Sequence, residues 1–208
     1  MVGSPGAAQA AEFNQVDAAK STLAFSSKQM GVPVPGSFKR FTSQISFDPA
    51  KPTAAHTTLE IDLASIDAGS KDANDEVVGK QWFNVKAFPT AKFVSTGVKA
   101  LGGNRFEAVG KMTIKGQTRD VVAPFTFKQE GTNGVFDGAF VLKRMDYGIG
   151  EGPWADVSAV ANEIEIKFHV VAAPVAAPRL PPARAPAAAP MAVPIATMPT
   201  RLEAWVVP

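Results

Sequence analysis

The chain contains no cysteine, so neither a disulfide framework nor a thiolate metal site is open to it. Histidine is nearly as scarce: His56 lies in a Pro/Ala/Thr stretch and His169 on the polar side of a strand pattern, and both read as solvated side chains rather than metal ligands. No run approaches the roughly 18–20 apolar residues that a membrane-spanning helix requires, so no transmembrane segment is expected. A Gly-x-Ser-x-Gly elbow for an acyl-transfer serine and a phosphate-cradling glycine loop opening a helix are both missing. Basic residues number 21 against 19 acidic ones. Residues 1–173 balance at 18 each, and the excess comes from Arg179, Arg184 and Arg201 against Glu203. A nucleic-acid partner would require clustered basic residues, and none is expected.

What is present falls into three zones. Residues 1–12 read as a disordered segment. Ala8-Gln9-Ala10 ahead of Ala11 has the small-x-small form of a signal-peptidase site, which fits either the end of a leader region or a flexible Ala-rich terminus. Residues 13–173 read as one globular domain. From Pro174 to Pro208, Pro and Ala supply 19 of 35 residues, a composition that cannot bury enough surface to offset its ordering entropy. This Pro/Ala-rich tail reads as a disordered appendage, either a genuine linker or an extension from an unrelated reading frame.

Inside the globular zone the dominant signal is alternation of period two. Phe136, Phe140 and Leu142 share one face of a strand over 135–143. Ile164, Ile166, Phe168 and Val170 share one face of a strand over 162–172, with Glu163, Glu165, Lys167 and His169 on the other. Further strands are expected at 22–28, 43–47, 57–63, 91–98, 105–114 and 120–128, joined by turns such as Gly102-Gly103-Asn104 and Gly131–Gly134. One helix is expected near 70–83, with Ser70 or Asp72 capping its first turn. About eight strands in hairpin order predict an all-β fold, an eight-stranded antiparallel barrel with one short helix, with a two-sheet sandwich as the alternative.

The 14 phenylalanines supply the apolar interior. Rings of that size fill a core or line a pocket, and composition does not distinguish the two. The densest island of unusual residues is Lys143–Ser158. There Arg144, Asp146, Trp154 and Asp156 either form a buried polar constellation at the barrel mouth or divide into a surface Arg144–Asp146 pair and a hydrophobic plug.

Six stretches in register then carry a resemblance. F-S-S-K-Q-M-G-V-P-V-P-G-S-F-K-R-F (25–41), I-S-F-D-P (45–49), E-I-D-L-A-S-I-D-A-G (60–69) and W-F-N-V-K-A-F-P-T-A-K-F (82–93) are four of them. G-K-M-T-I-K-G-Q-T (110–118) and R-M-D-Y-G-I-G-E-G-P-W-A-D-V-S (144–158) complete the set. Together they resemble the YceI-like family of bacterial proteins across residues 13–172. The resemblance implies a lipocalin-like barrel with a long apolar tunnel and export to the periplasm. It also implies binding of a long-chain isoprenoid, polyprenyl or quinone, without catalysis and without any cofactor beyond that lipid. Many relatives carry His where this chain has Gln29, Phe where it has Tyr147 and Thr where it has Val157. Relatives with the Q-M-G-V-P-V form include some joined to membrane cytochromes, so a cytochrome partner is compatible with this reading, as is a homodimer.

Strand parity then selects the lumen-facing residues: Phe25, Phe38, Phe93, Phe106, Met112, Ile114, Phe125, Phe127, Phe140 and Ile166. Gln29, Arg144, Asp146, Trp154 and Asp156 are the expected polar mouth. Two other readings use the same residues differently. An interaction protein would have a filled core and act through its exterior. A hydrolase or isomerase on a lipid-like substrate would need Arg144 clustered with Asp146 or Asp156 inside the barrel.

Overall fold

A computed structural model describes residues 11–175. The N-terminal segment through residue 10 and the Pro/Ala tail beyond 175 lie outside the described residues. In chain order the strands begin with β1 (Phe13–Val16), β2 (Thr22–Gln29), β3 (Val32–Phe38), β4 (Phe41–Ser46), β5 (His56–Asp62) and β6 (Ile66–Asp67). A short helix α1 (Lys71–Val77) follows, then β7 (Thr90–Gly102), β8 (Arg105–Ile114), β9 (Gln117–Glu130), β10 (Asn133–Lys143) and β11 (Glu163–Pro174).

All pairings are antiparallel, and they close a ring because three strands are bent rather than ended. β7, β8, β9, β10 and β11 pair in succession, and β11 then pairs with β2 and β2 with β3. The backbone bends at Lys39-Arg40 and continues as β4, while β5 bends through a 3-10 turn at Leu63–Ser65 and continues as β6. β4 pairs with β5 and β3 with β6, so these two bent strands lie side by side, and β5 pairs with β7. β1 and β2 share one edge of β11 in succession, separated by a 3-10 turn that Asp17 caps. Eleven strand segments stand where the sequence reading expects about eight, and with each bend counted as one strand they make a barrel of lipocalin-like form. Closure removes the unpaired edges that an open sheet would expose. One slit remains, where β4 has no strand partner other than β5, and it is spanned at its end by a two-bond bridge between Phe13 and Phe47.

Several element bounds differ from the sequence reading, with β7 and β9 longer than expected and β1, β3 and β6 not anticipated, and two of the differences bear on the site and the tail. The helix covers only 71–77, because the chain leaves helical geometry at Val78-Gly79 and winds through turns to Phe88. β11 extends to Pro174, opposite Phe13, so the fold reaches one residue into the segment read as tail.

The interior is layered. One cluster of buried residues includes Leu23, Phe38, Ile61, Leu63, Met112, Ile114 and Tyr147, next to α1 and the 144–149 turn. A second gathers Phe13, Phe47, Phe106, Phe127, Phe136 and Val170 at the opposite end. There Phe47 stands within 5.0 to 5.2 Å (ring centroids) of Phe106, Phe127 and Phe136, and 6.0 Å from Phe125. Edge and tilted contacts of this kind add to what area burial alone provides. This end of the barrel is plugged.

Candidate ligand-binding site

Above the plug the side chains leave space. A cavity of about 420 Å³ runs from the middle of the barrel to α1 and the β2–β3 hairpin. A smaller one of about 100 Å³ lies between it and the phenylalanine plug. Period-two facing produces the wall: Phe25, Ser27 and Gln29 of β2 follow one another into the larger cavity, as do Ile164 and Ile166 of β11. α1 contributes Asp72, Ala73, Glu76 and Val77, one face of its two turns, and these rim the opening.

Glycines let the rings sit against the wall. A Cβ on Gly36 would collide with the Phe25 ring directly across the β2–β3 pair, and one on Gly138 would collide with Phe168 directly across β10–β11. At Gly110 an added Cβ would stand 2.6 Å from Phe93. Glycine at these inward positions gives the rings room at the strand surface.

The polar end of the cavity is organised by Arg144, which is 1 % exposed. Its Nε–H donates to Ala161 O (3.1 Å). Nη1 donates to Ile149 O (2.9 Å) and Gly150 O (3.0 Å), and Nη2 to Trp154 O and Val160 O (both 2.7 Å). All five donors of the fork are thereby used, and every oxygen acceptor is a main-chain carbonyl; Nη1 also lies 3.3 Å from Met145 Sδ. Burial depresses the guanidinium pKa from its ordinary value. Nearby, Gln81 O accepts from both Gly150 N and Glu151 N (2.8 Å each), and the Trp82 and Trp154 rings lie 5.5 Å apart. The turn after α1 and the loop after β10 thus form one cap over the cavity.

The residues expected from parity divide by depth. Phe25, Phe38, Met112, Ile114, Phe140 and Ile166 line the larger cavity. Phe93 and Phe125 line the smaller one, together with Met112 and Phe140. Phe106 and Phe127 border neither and lie in the plug. Of the expected polar mouth, Gln29, Arg144 and Trp154 border the larger cavity. Asp146 and Asp156 do not: both are exposed, neither bonds to Arg144, and Asp156 instead accepts from Ser158 N and Oγ. Those two bonds hold its carboxyl below the ordinary carboxylate value. The Arg144–Asp146 surface pair is likewise corrected, because Arg144 is buried and turned to carbonyls of the following loop. Parity reasoning missed Leu23, Leu59, Ile61, Trp82 and Phe83, all of which line the larger cavity. The 59–63 alternation was the available signal for Leu59 and Ile61.

Compared with known proteins, residues 15–172 match the family described as YceI-like domain. A UPF0312 protein of Azotobacter vinelandii is 31% identical over 137 residues, covering 63% of this chain and 69% of that protein. Burkholderia cenocepacia BcnA has the same fold at a TM-score of 0.74 and 46% identity, over 76% of this chain and 99% of that one. A structure described as a polyisoprenoid binding domain from Saccharophagus degradans, implicated in plant cell wall breakdown, shares the fold at a TM-score of 0.61. Its identity is 14%, with 78% of this chain and 99% of that one covered.

Proposed function

Because this chain belongs to the YceI-like family, we propose that it binds a long-chain isoprenoid lipid, polyprenyl or quinone in type, inside the barrel. The observation that carries this reading is the apolar cavity of about 420 Å³, with polar groups gathered at its capped end. Apolar walls with a few polar groups at one end suit a ligand that is mostly hydrocarbon with a small head. Each methylene moved from water into such a wall contributes about 0.8 kcal/mol, so affinity accumulates along the chain without specific polar contacts. The polyisoprenoid binding domain that shares this fold supports the ligand class. Sequestration or shuttling of such a lipid in the bacterial periplasm, without chemistry on it, completes the proposal.

Native mass spectrometry on protein purified without detergent, followed by organic extraction, tests it. A stoichiometric isoprenoid or quinone is the expected result. A protein that stays free of lipid after incubation with octaprenyl lipids overturns it.

A further inference from the structure

The two cavities are neighbours, and Leu23, Leu59, Met112 and Phe140 border both. We propose that these four side chains form a gate through which the barrel reads the length of its ligand's hydrocarbon chain. The inference rests on the lipid-binding reading above and adds to it a limit on chain length.

The gate separates spaces of very different size. The larger cavity has the rim, the cap and about 420 Å³. The smaller has about 100 Å³ and is lined by Phe47, whose ring is held by four others. A chain entering past α1 fills the larger cavity against a wall already in place. To continue, it must displace gate side chains, and what it reaches beyond them is small. The gate residues are not equally fixed. Leu23 and Met112 are 3 % exposed, while Leu59 and Phe140 are only partly buried. Met112 is unbranched and can change rotamer at low cost. Phe140 sits across the β10–β11 pair from Ile166, with its ring 6.5 Å from Phe168 on the cavity side of the plug. Met112 and Phe140 are therefore the movable members; Leu23 is buried in the same core cluster as Met112, but its branched side chain repacks less readily and is the fixed one.

Chain length then acts in two regimes. Isoprene units that fit above the gate each add buried area and raise affinity steeply. Units beyond it gain area only as they push gate side chains out of contacts of comparable worth, so the rise flattens.

The test is a series of prenyl chains from geranyl to octaprenyl on one common quinone head, titrated by the fluorescence of Trp82 and Trp154, which border the larger cavity. In the unmodified protein the dissociation constant is expected to fall by about tenfold or more per unit in the short members, then by less than about twofold per unit after a break. Met112→Ala is expected to move the break to a longer chain and to raise octaprenyl affinity relative to farnesyl by about tenfold. Phe140→Leu, at a less buried position, gives the same shift and serves if Met112→Ala does not fold. A constant slope through octaprenyl in the unmodified protein, or a break that neither variant moves, overturns the gate while leaving lipid binding intact. Absence of binding across the whole series overturns the lipid-binding reading itself, and the gate with it.

Discussion

The guanidinium carbon of Arg144 stands 5.8 Å from the ring centroid of Trp82. A cation placed over an indole face gains electrostatic stabilisation, and here the contact joins the loop after β10 to the turn after α1. Among the described residues no carboxylate pairs with it, and the charge is balanced by oriented carbonyl dipoles and one aromatic face.

Arg144→Lys is therefore not a conservative change. Lysine keeps the charge but has three donors on a point-like head in place of a planar five-donor fork, so at least two buried carbonyls lose their partners. A loss of about 3 kcal/mol is expected, which lowers Tm by about 10 °C in a domain of this size. A thermal melt of the variant checks it, and an unchanged Tm would refute the hub role.

Tyr147 is the one tyrosine of the chain and is 2 % exposed. Burial, with the Asp146 charge adding to it, raises its pKa above the ordinary 10.0, and Arg119 partly opposes the shift. A phenol whose folded pKa exceeds its unfolded value favours the folded state fully below the unfolded pKa, and that contribution is lost as pH rises through the folded one. Stability should thus hold up to about pH 10 and fall above it, with tyrosinate absorption appearing together with unfolding. In Tyr147→Phe the alkaline fall attributable to this group should vanish. Tyrosinate appearing in the intact fold near pH 10 would contradict the assignment.

Gly138→Ala tests the glycine–ring pairs. The added methyl would stand 2.6 Å from Pro124 O and collide with the Phe168 ring, a ring that lines the smaller cavity. Overpacking of this kind costs about 1–3 kcal/mol. Chemical denaturation should show that loss, whereas an alanine at the open position Gly97, where a Cβ meets nothing within 4 Å, should show far less.

At the tip of the β2–β3 hairpin, Met30 and Gly31 both have positive φ, +49° and +79°. That two-residue geometry suits Asn-Gly, and a methionine there carries backbone strain. Its side chain is 83 % exposed, so no core packing offsets the strain. Met30→Asn is expected to stabilise the domain by about 0.5–1 kcal/mol, seen as a higher midpoint in urea. An unchanged or lower midpoint would mean that the methionine side chain contributes where it lies.

Much of this architecture is legible in the sequence, because face alternation follows directly from strand geometry. Ile164, Ile166 and Phe140 could be assigned to the interior from parity alone. Depth could not: Phe106 and Phe127 face inward like their neighbours, yet lie in the plug, since parity gives the side of a strand and not its height in the barrel. β3 escaped notice because Pro33 and Pro35 argue against a strand. It tolerates them because it has no partner beyond β2 over residues 32–36, so no ladder bond is missed there. The partners of Arg144 were equally hidden. Sequence offers carboxylates as the natural mates of an arginine, whereas main-chain carbonyls carry no residue signature.

β11 holds β10 on one edge and both β1 and β2 on the other. Val171 N donates to Ser21 Oγ across 150 residues of chain. β11, the last strand among the described residues, is thus the one that the first strands await, and no ring exists until it arrives. Contacts so distant along the chain slow folding, since the intervening loop must be closed before they form. A nascent chain that ends at Lys143 would carry bare edges on both β2 and β10, the kind of surface that invites pairing between molecules. For this barrel, synthesis of β11 and closure of the ring are nearly the same event.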